Sequence, residues 1–370
     1  MGDDRAGGTS QRCGNLPAAF FSNDFSEISN APEPLDARGL LSKLADHGID
    51  CGSGAVGRAV LGKMSYQHLL PYVKMLEGSG RTRTVEELHR IAVFDRKLQS
   101  LVLEYVGLFE LQFRAQYSAA MSRELGPFAH REPANFKNRA HFDGYLRAYA
   151  SEVSNQMRCG NKSIARSCGR YGDAPIWEAV EVMSLGMLSK LYRNTRPKSV
   201  RHAVADSFGA TSEELSSWMR TLTAVRNRCA HFAPLLGQRL PYSPARIPGV
   251  GCDNTSPFYA LLILERLLSS TEHVMRFPES CYGVVMAQGV ADIFNAFSDV
   301  LDLAGIPRDR FDVIVSEPVL GIPVTEKIGL PEDGDFWFTI AEPESGRLVR
   351  FDRWGGRVVD TGIIMRPCDD

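Results

Sequence analysis

The sequence predicts a mainly α protein that ends in a small β-rich appendage. Two observations carry this. Between Leu35 and Leu303, apolar residues recur at the spacing of a helix with one buried face. After Ile306-Pro307 the pattern changes to short β-branched and aromatic runs cut by Gly, Pro and acidic turns. The chain therefore divides into a flexible segment over 1–34, rich in Gly, Ser, Asn, Asp and Pro, a helical domain over 35–307, and an appendage over 311–370.

The helical elements follow in order. Leu40, Leu41 and Leu44 mark a first helix that stops at His47-Gly48. Short helices are expected over Ala55–Val60 and Tyr66–Leu76, with Pro71 near the start of the second or kinking it. Val85–Leu125 is the longest helical run, with an apolar face from Leu88 through Leu111 and Phe113 and a stop at Gly126-Pro127. Phe142–Met157 is a further helix, followed by a loop that holds Arg158, Lys162, Arg166 and Arg170 and no acid. Pro175 opens a helix carrying Trp177, Val180, Leu185, Leu188 and Leu191. Thr211-Ser212-Glu213-Glu214 has the form of a helix cap, and the helix it starts leads into Arg226. Phe258–Phe277 and Gly283–Leu303 are the last two helices. In the appendage, Val313-Ile314-Val315, Phe336–Ile340, Leu348–Phe351 and Val358-Val359 read as strands, with turns at Glu344-Ser345-Gly346 and Trp354-Gly355-Gly356.

Composition excludes several classes. The formal net charge of −2 describes no general polyanion binder, but the charge is uneven. Arg193 to Arg239 holds eight basic residues against three acids, while 311–370 holds twelve acids against six basic residues. A basic centre suits an anionic partner, and Arg193, Arg196, Lys198, Arg201 and Arg220 are its candidate RNA-binding residues. The eight cysteines form no C-x-x-C pair, which reads as reduced thiols in a cytoplasmic protein without a metal knuckle. No apolar leader opens the chain, and Phe258–Leu264 is too short to span a bilayer, so no membrane partner is expected. Gly52-x-Gly54-x-x-Gly57 mimics a dinucleotide fingerprint, but no strand precedes it. No cofactor and no metal are expected.

The run Val225-Arg226-Asn227-Arg228-Cys229-Ala230-His231 carries parts suited to RNA cleavage. The 2′-hydroxyl must lose a proton, the 5′-oxygen must gain one, and charge growing on phosphorus must be stabilised. Histidine serves either proton step, and arginine offers a charged fork to phosphate oxygens. The spacing alone is weak, because an Arg is followed by a His with four to six residues between them five times in this chain. Asn227, the basic surroundings (Arg228 among them) and the break at Pro234 single out Arg226 and His231. Five residues of helix turn two side chains about 140° apart and raise one about 7.5 Å above the other. One histidine also cannot easily be acid and base at once. A twofold dimer supplies two copies of each group in one cleft, so a homodimer is expected. The alternative is that local carboxylates satisfy both side chains.

Several segments, in order, carry a family resemblance: Leu35–Asp50; Met64–Tyr72; Phe94-Asp95-Arg96-Lys97-Leu98 with Phe109–Arg114; Pro175-Ile176-Trp177-Glu178 with Leu185–Tyr192; and Trp218 through Arg226-Asn227-Arg228-Cys229-Ala230-His231. Together they resemble the Abi-like abortive-infection family (the AbiD/AbiF group), whose helical core is a HEPN domain. The likeness covers roughly 35–307. It implies a HEPN-type helical bundle with extra helices, acting as a metal-independent endoribonuclease in a toxin–antitoxin-like phage-defence system. The family's R-N-x-x-x-H pair falls on Arg226, Asn227 and His231. The resemblance also implies that Glu110 and Arg114 line the core near the site, and that a cognate RNA or protein antitoxin holds the activity in check. The alternative reading is a non-catalytic HEPN module that binds RNA or a partner protein.

Overall fold

The computed structural model describes residues 34–80, 83–248, 250 and 253–269, part of 286–300, and the strand segments 337–341, 347–352 and 357–364. The expected segment 1–33, the strand at 313–315, the turns at 344–346 and 354–356, the stretch 270–277 and much of 283–303 lie outside the described residues.

One helix organises the rest. Val85–Leu125 (α4) runs for 41 residues, about 60 Å at 1.5 Å per residue. Thr84 caps it by accepting from the Glu87 N–H, Glu86 and Glu87 complement the positive end of its dipole, and Gly126 ends it at φ +89°. Helices Ala37–Asp46 (α1), Ala55–Leu61 (α2) and Tyr66–Glu77 (α3) precede it. After it come Arg139–Arg158 (α5), Lys162–Tyr171 (α6), Ile176–Ala179 (α7), Leu185–Asn194 (α8), Lys198–Asp206 (α9), Ser212–Ala230 (α10) and Phe258–Ser269 (α11). α2, α3, α7, α8, α9, α10 and α11 all pack on α4. The core at its middle is aromatic. Phe109 meets Phe208 edge-on at 5.3 Å, and Phe113 lies 5.6 Å from both Tyr117 and Tyr192. Each such side chain, fully buried, stabilises the fold by about 1.5–3 kcal/mol. Helix α3 runs through Pro71 without ending there.

Four expectations need correction. The basic stretch after α5 is not a loop. Asn161 caps α6 by accepting from the Ile164 N–H, Gly172 ends it at φ +81°, and only Ile164 and Ser167 are buried. Caps and one narrow buried stripe make this helix, so apolar periodicity did not reveal it. The single helix expected from Pro175 is broken. Met183 is extended, and Ser184 caps a new helix by accepting from the Met187 N–H. α9 was not anticipated; it follows Pro197 and buries Val200, Val204 and Ala205. Finally, Leu111 and Trp177, placed on apolar faces by their spacing, are 57 % and 50 % exposed.

Beyond the helices, the backbone segments Trp337–Ala341 (β1), Arg347–Asp352 (β2) and Arg357–Ile364 (β3) pair antiparallel in the order β1-β2-β3. Trp337 sits opposite Asp352 and Ala341 opposite Leu348. β2 and β3 pair with irregular register between Arg347 and Val349 and between Arg350 and Phe351.

His130, in the turn after α4, is fully buried and lies edge-on to Tyr149 at 5.4 Å. Neither ring nitrogen meets a hydrogen-bond partner among the described residues. Burial pushes its pKa down to about 4, against the pull of Asp173 and with a smaller push from Arg131. The folded state therefore holds the neutral ring, while the unfolded chain takes up a proton near pH 6.5. Its contribution is complete above that pH and is lost as pH falls towards 4, on the order of 3 kcal/mol in all. Thermal unfolding followed from pH 7.5 to 4.5 should show this loss, and His130→Phe should flatten the profile between 6.5 and 4.

Candidate functional site

α10 forms for reasons local to its sequence. Thr211 accepts from the Glu214 N–H at 3.2 Å, and Glu214 accepts from the Thr211 N–H at 2.8 Å, a reciprocal capping box. Leu215, Trp218, Met219, Leu222 and Val225 give the helix its buried face. The last turn then presents Arg226, Asn227 and His231 towards solvent. Arg226 is half-buried, and its Nη1 donates to the side-chain oxygen of Asn227 at 3.1 Å. No carboxylate pairs with Arg226 among the described residues. His231 caps the helix, its backbone N–H donating to the Asn227 carbonyl at 3.1 Å, and its imidazole is exposed. Arg226 and Asn227 are thus in contact. Arg226 and His231 share no recorded contact, as their angular separation on the helix requires.

The chain leaves α10 through a strained turn. Phe232 is the only non-glycine described residue at positive φ (+53°), and it is 56 % exposed. The Phe232 N–H donates to Cys229 and the Ala233 N–H to Arg228, the double bond pattern of a helix end that normally uses glycine. Arg228 explains part of this. Its Nε donates to the Pro234 carbonyl at 2.6 Å and its Nη2 to Gln238 at 3.2 Å. Arg228 therefore ties down the outgoing loop and supports Arg226 and His231 only through it.

Asp95, on α4, explains the rest. Its carboxylate is fully buried and accepts from the Tyr72 hydroxyl at 2.6 Å, the Gln99 amide at 3.1 Å, and the backbone N–H groups of Leu235 and Leu236 at 3.0 and 3.2 Å. Gln99 also donates to the Ala233 carbonyl at 3.2 Å. Burial raises the Asp95 pKa, and the donors around it oppose that shift. Beside it, burial pushes the Cys229 thiol up to about 12, which leaves it protonated and inert. Sequence reasoning gave Asp95 no role. One signal was present: a carboxylate four residues after Ile91 and three before Leu98 sits on an apolar stripe.

Glu110 and Arg114 form a largely buried ion pair at 2.6 Å. Arg114 also donates to the Met183 carbonyl at 2.9 Å and reaches Glu181 at 3.6 Å. The pair fixes the start of α8. There, a Cβ on Gly186 would lie 3.4 Å from Thr223, one helical turn before Arg226.

The basic centre does not form one patch. Tyr192 near the end of α8 donates to the Arg201 carbonyl at 2.9 Å and Arg201 reaches Glu213 at the start of α10, whereas Gly186 approaches Thr223, so α8 and α10 run antiparallel. Arg193, Arg196, Lys198 and Arg201 consequently sit by the start of α10, about 27 Å along its axis from His231. Arg201 is mostly buried and reaches Glu213 at 3.7 Å, and Arg196 donates to the Phe136 carbonyl. Lys137 joins this group; burial first, then Arg201, lowers its pKa. Arg220 lies over the Tyr242 ring at 3.4 Å. Among the described residues no group of three or more His, Cys, Asp or Glu could hold a metal ion, and no helix is long and apolar enough to cross a membrane.

Residues 59–236 match the family model described as Abi-like protein. The match begins within α2 and ends in the loop clamped by Asp95, so it includes Arg226 and His231 but neither α1 nor α11. Neither the curated proteins nor the solved structures compared include a match to the chain.

Two stability changes follow from this geometry. Asp95→Ala strips the buried Leu235 and Leu236 N–H groups of their acceptor, at about 1–3 kcal/mol for each unsatisfied donor. Urea unfolding should show a loss of at least about 3 kcal/mol, and limited proteolysis should cut first between 232 and 240. Phe232→Gly relieves the left-handed strain and should raise stability by about 1 kcal/mol in the same assay.

Proposed function

We propose that the chain is a homodimeric, HEPN-type endoribonuclease of the abortive-infection kind, with 35–307 as its helical domain and 311–370 as a β-rich appendage. The observation that carries this reading is the end of α10. Arg226 has no carboxylate partner among the described residues and is held by Asn227, and His231 stands exposed one turn later at the helix end, just before the strained Phe232. Arg226 binds the scissile phosphate and stabilises charge as it grows in the transition state. His231 moves a proton, as base towards the 2′-hydroxyl or as acid towards the leaving 5′-oxygen. Asn227 keeps the guanidinium turned to its task. Two protomers supply one histidine for each role, and the products carry a 2′,3′-cyclic phosphate and a 5′-hydroxyl. The chemistry draws on the chain's own groups and needs no metal. The substrate is RNA inside the cell, and a cognate RNA or protein antitoxin restrains the enzyme during phage defence.

One observation favours a second reading, a non-catalytic module that binds RNA or a protein. His231 has no side-chain partner among the described residues to orient its ring, whereas a general base is usually held by a third group.

Cleavage of RNA in EDTA separates the two. The dimeric enzyme should cleave at an unchanged rate with chelator present. His231→Ala and Arg226→Ala should each lose about a hundredfold or more in rate. Both side chains lie at the surface, so the melting temperature should stay constant. Loss of cleavage in EDTA sinks the metal-independent mechanism, and an unimpaired His231→Ala sinks the residue assignment. Binding without product in any buffer favours the second reading.

A further inference from the structure

The helix that replaces the expected loop, α6, carries a surface that Arg226 and His231 do not explain. Lys162, Arg166 and Arg170 are spaced four residues apart, so they form one stripe along the helix. All three are exposed, and none has an ion-pair partner among the described residues. No acid occurs from Arg158 to Arg170. The nearest acids are already engaged: Asp173 pairs with Arg131 at 2.9 Å and accepts from Tyr149, while Glu178 accepts from Ser163 and Ser167. Those two serines latch α6 against α7. Glu178 directly follows Trp177, whose indole is 50 % exposed, and Tyr171 at the end of α6 is 52 % exposed with Arg170 over its ring at 5.1 Å. A stripe of cations without ion-pair partners thus runs along α6 to the partly exposed Tyr171, and α6 is latched through Ser163 and Ser167 to the residue after Trp177.

We propose that this face of α6 and α7 docks single-stranded RNA. The proposal rests on the reading above for the choice of RNA. Steps of four residues advance about 6 Å along a helix, a spacing suited to successive phosphates of an extended strand. Exposed indole and phenol rings supply stacking platforms, which any base can use and which a duplex, with its bases stacked inside, cannot offer. Cations without an ion-pair partner need break no salt bridge to meet phosphate. The face shares no residue with Arg226 and His231, so its role is to hold the strand and not to do the chemistry. The same surface serves a substrate or a restraining RNA.

The test uses the full chain with His231→Ala, to prevent cleavage, and a short fluorescein-labelled oligouridine read by polarisation. Replacing Lys162, Arg166 and Arg170 together with Ala should weaken binding at least about tenfold and reduce the dependence of log K on log salt by about 2. Trp177→Ala should weaken it about tenfold, and Trp177→Phe should restore most of that loss. Circular dichroism checks that each variant is folded. Wild-type affinity in both the triple variant and Trp177→Ala overturns the proposal. So does a chain that ignores oligouridine but binds phosphatidylserine vesicles or an acidic polypeptide through these residues. Cleavage is scored separately. If His231→Ala still cuts RNA, the active-site assignment fails, while a loss of binding in the α6 variants still stands.

Discussion

Asp95 places a carboxylate at the centre of the bundle, and no cation accompanies it among the described residues. Desolvating such a group costs several kcal/mol, so the fold must surround it with donors. It does so from three directions: the Tyr72 hydroxyl on α3, the Gln99 amide on α4, and two backbone N–H groups beyond α10. The main-chain donors matter most. They bind the path of the chain itself, whichever side chains stand at 235 and 236. The loop cannot leave without stranding a buried charge, so the end of α10 is fixed from outside the helix.

That constraint explains how Phe232 can occupy a conformation that glycine would adopt more easily. A left-handed phenylalanine costs on the order of 1 kcal/mol and persists only where its neighbours over-determine it. Here Arg228 holds Pro234 and Gln238, Gln99 holds Ala233, and Asp95 holds the two residues after Pro234. The strain sits next to His231, which stays on the helix end with its ring in solvent. Glu110 and Arg114 act on the other side of the same helix. By anchoring Met183 they set where α8 begins, and α8 meets α10 one turn before Arg226. Two buried carboxylates on α4, fifteen residues apart, thus set both approaches to the candidate site.

Much of the frame was legible in the sequence because it is written locally. The bounds of α4 follow from Thr84, a long apolar stripe and Gly126, and the start of α10 follows from Thr211 and Glu214. α6 and α9 were not legible, because short helices that bury two or three residues leave no period to read. Ser184 was overlooked as a cap because apolar residues continue on both sides of it. Asp95 is harder in kind. Its donors lie 23 residues before it and 140 and 141 residues after it, and no local pattern records such contacts. Charge counting failed for a related reason. Arg193 and Arg228 fall in one basic stretch of sequence, but Arg228 is in the last turn of α10 and Arg193 sits by its start.

The separation of these cations bears on the kind of ligand the molecule can use. A small anion is bound where several donors converge on one point, whereas the basic residues here are spread over several places. Arg193 and Lys198 lie by the start of α10, Arg226 lies at its end, and Lys162, Arg166 and Arg170 run along α6, which ends at the partly exposed Tyr171. Where cations do approach one another, burial and mutual repulsion lower the Lys137 pKa, and Glu213 is drawn in as a neighbour. Charges strung along a surface can all be engaged at once only by a ligand that is itself long and repeats its charge. A nucleic-acid strand meets that requirement. A single Arg226/His231 pair meets the chemical requirement only in part, because it offers one proton-transferring group where two are needed. In the proposed reaction a strand lying across the basic sites would also need a second copy of His231, and a twofold partner is the simplest source of one.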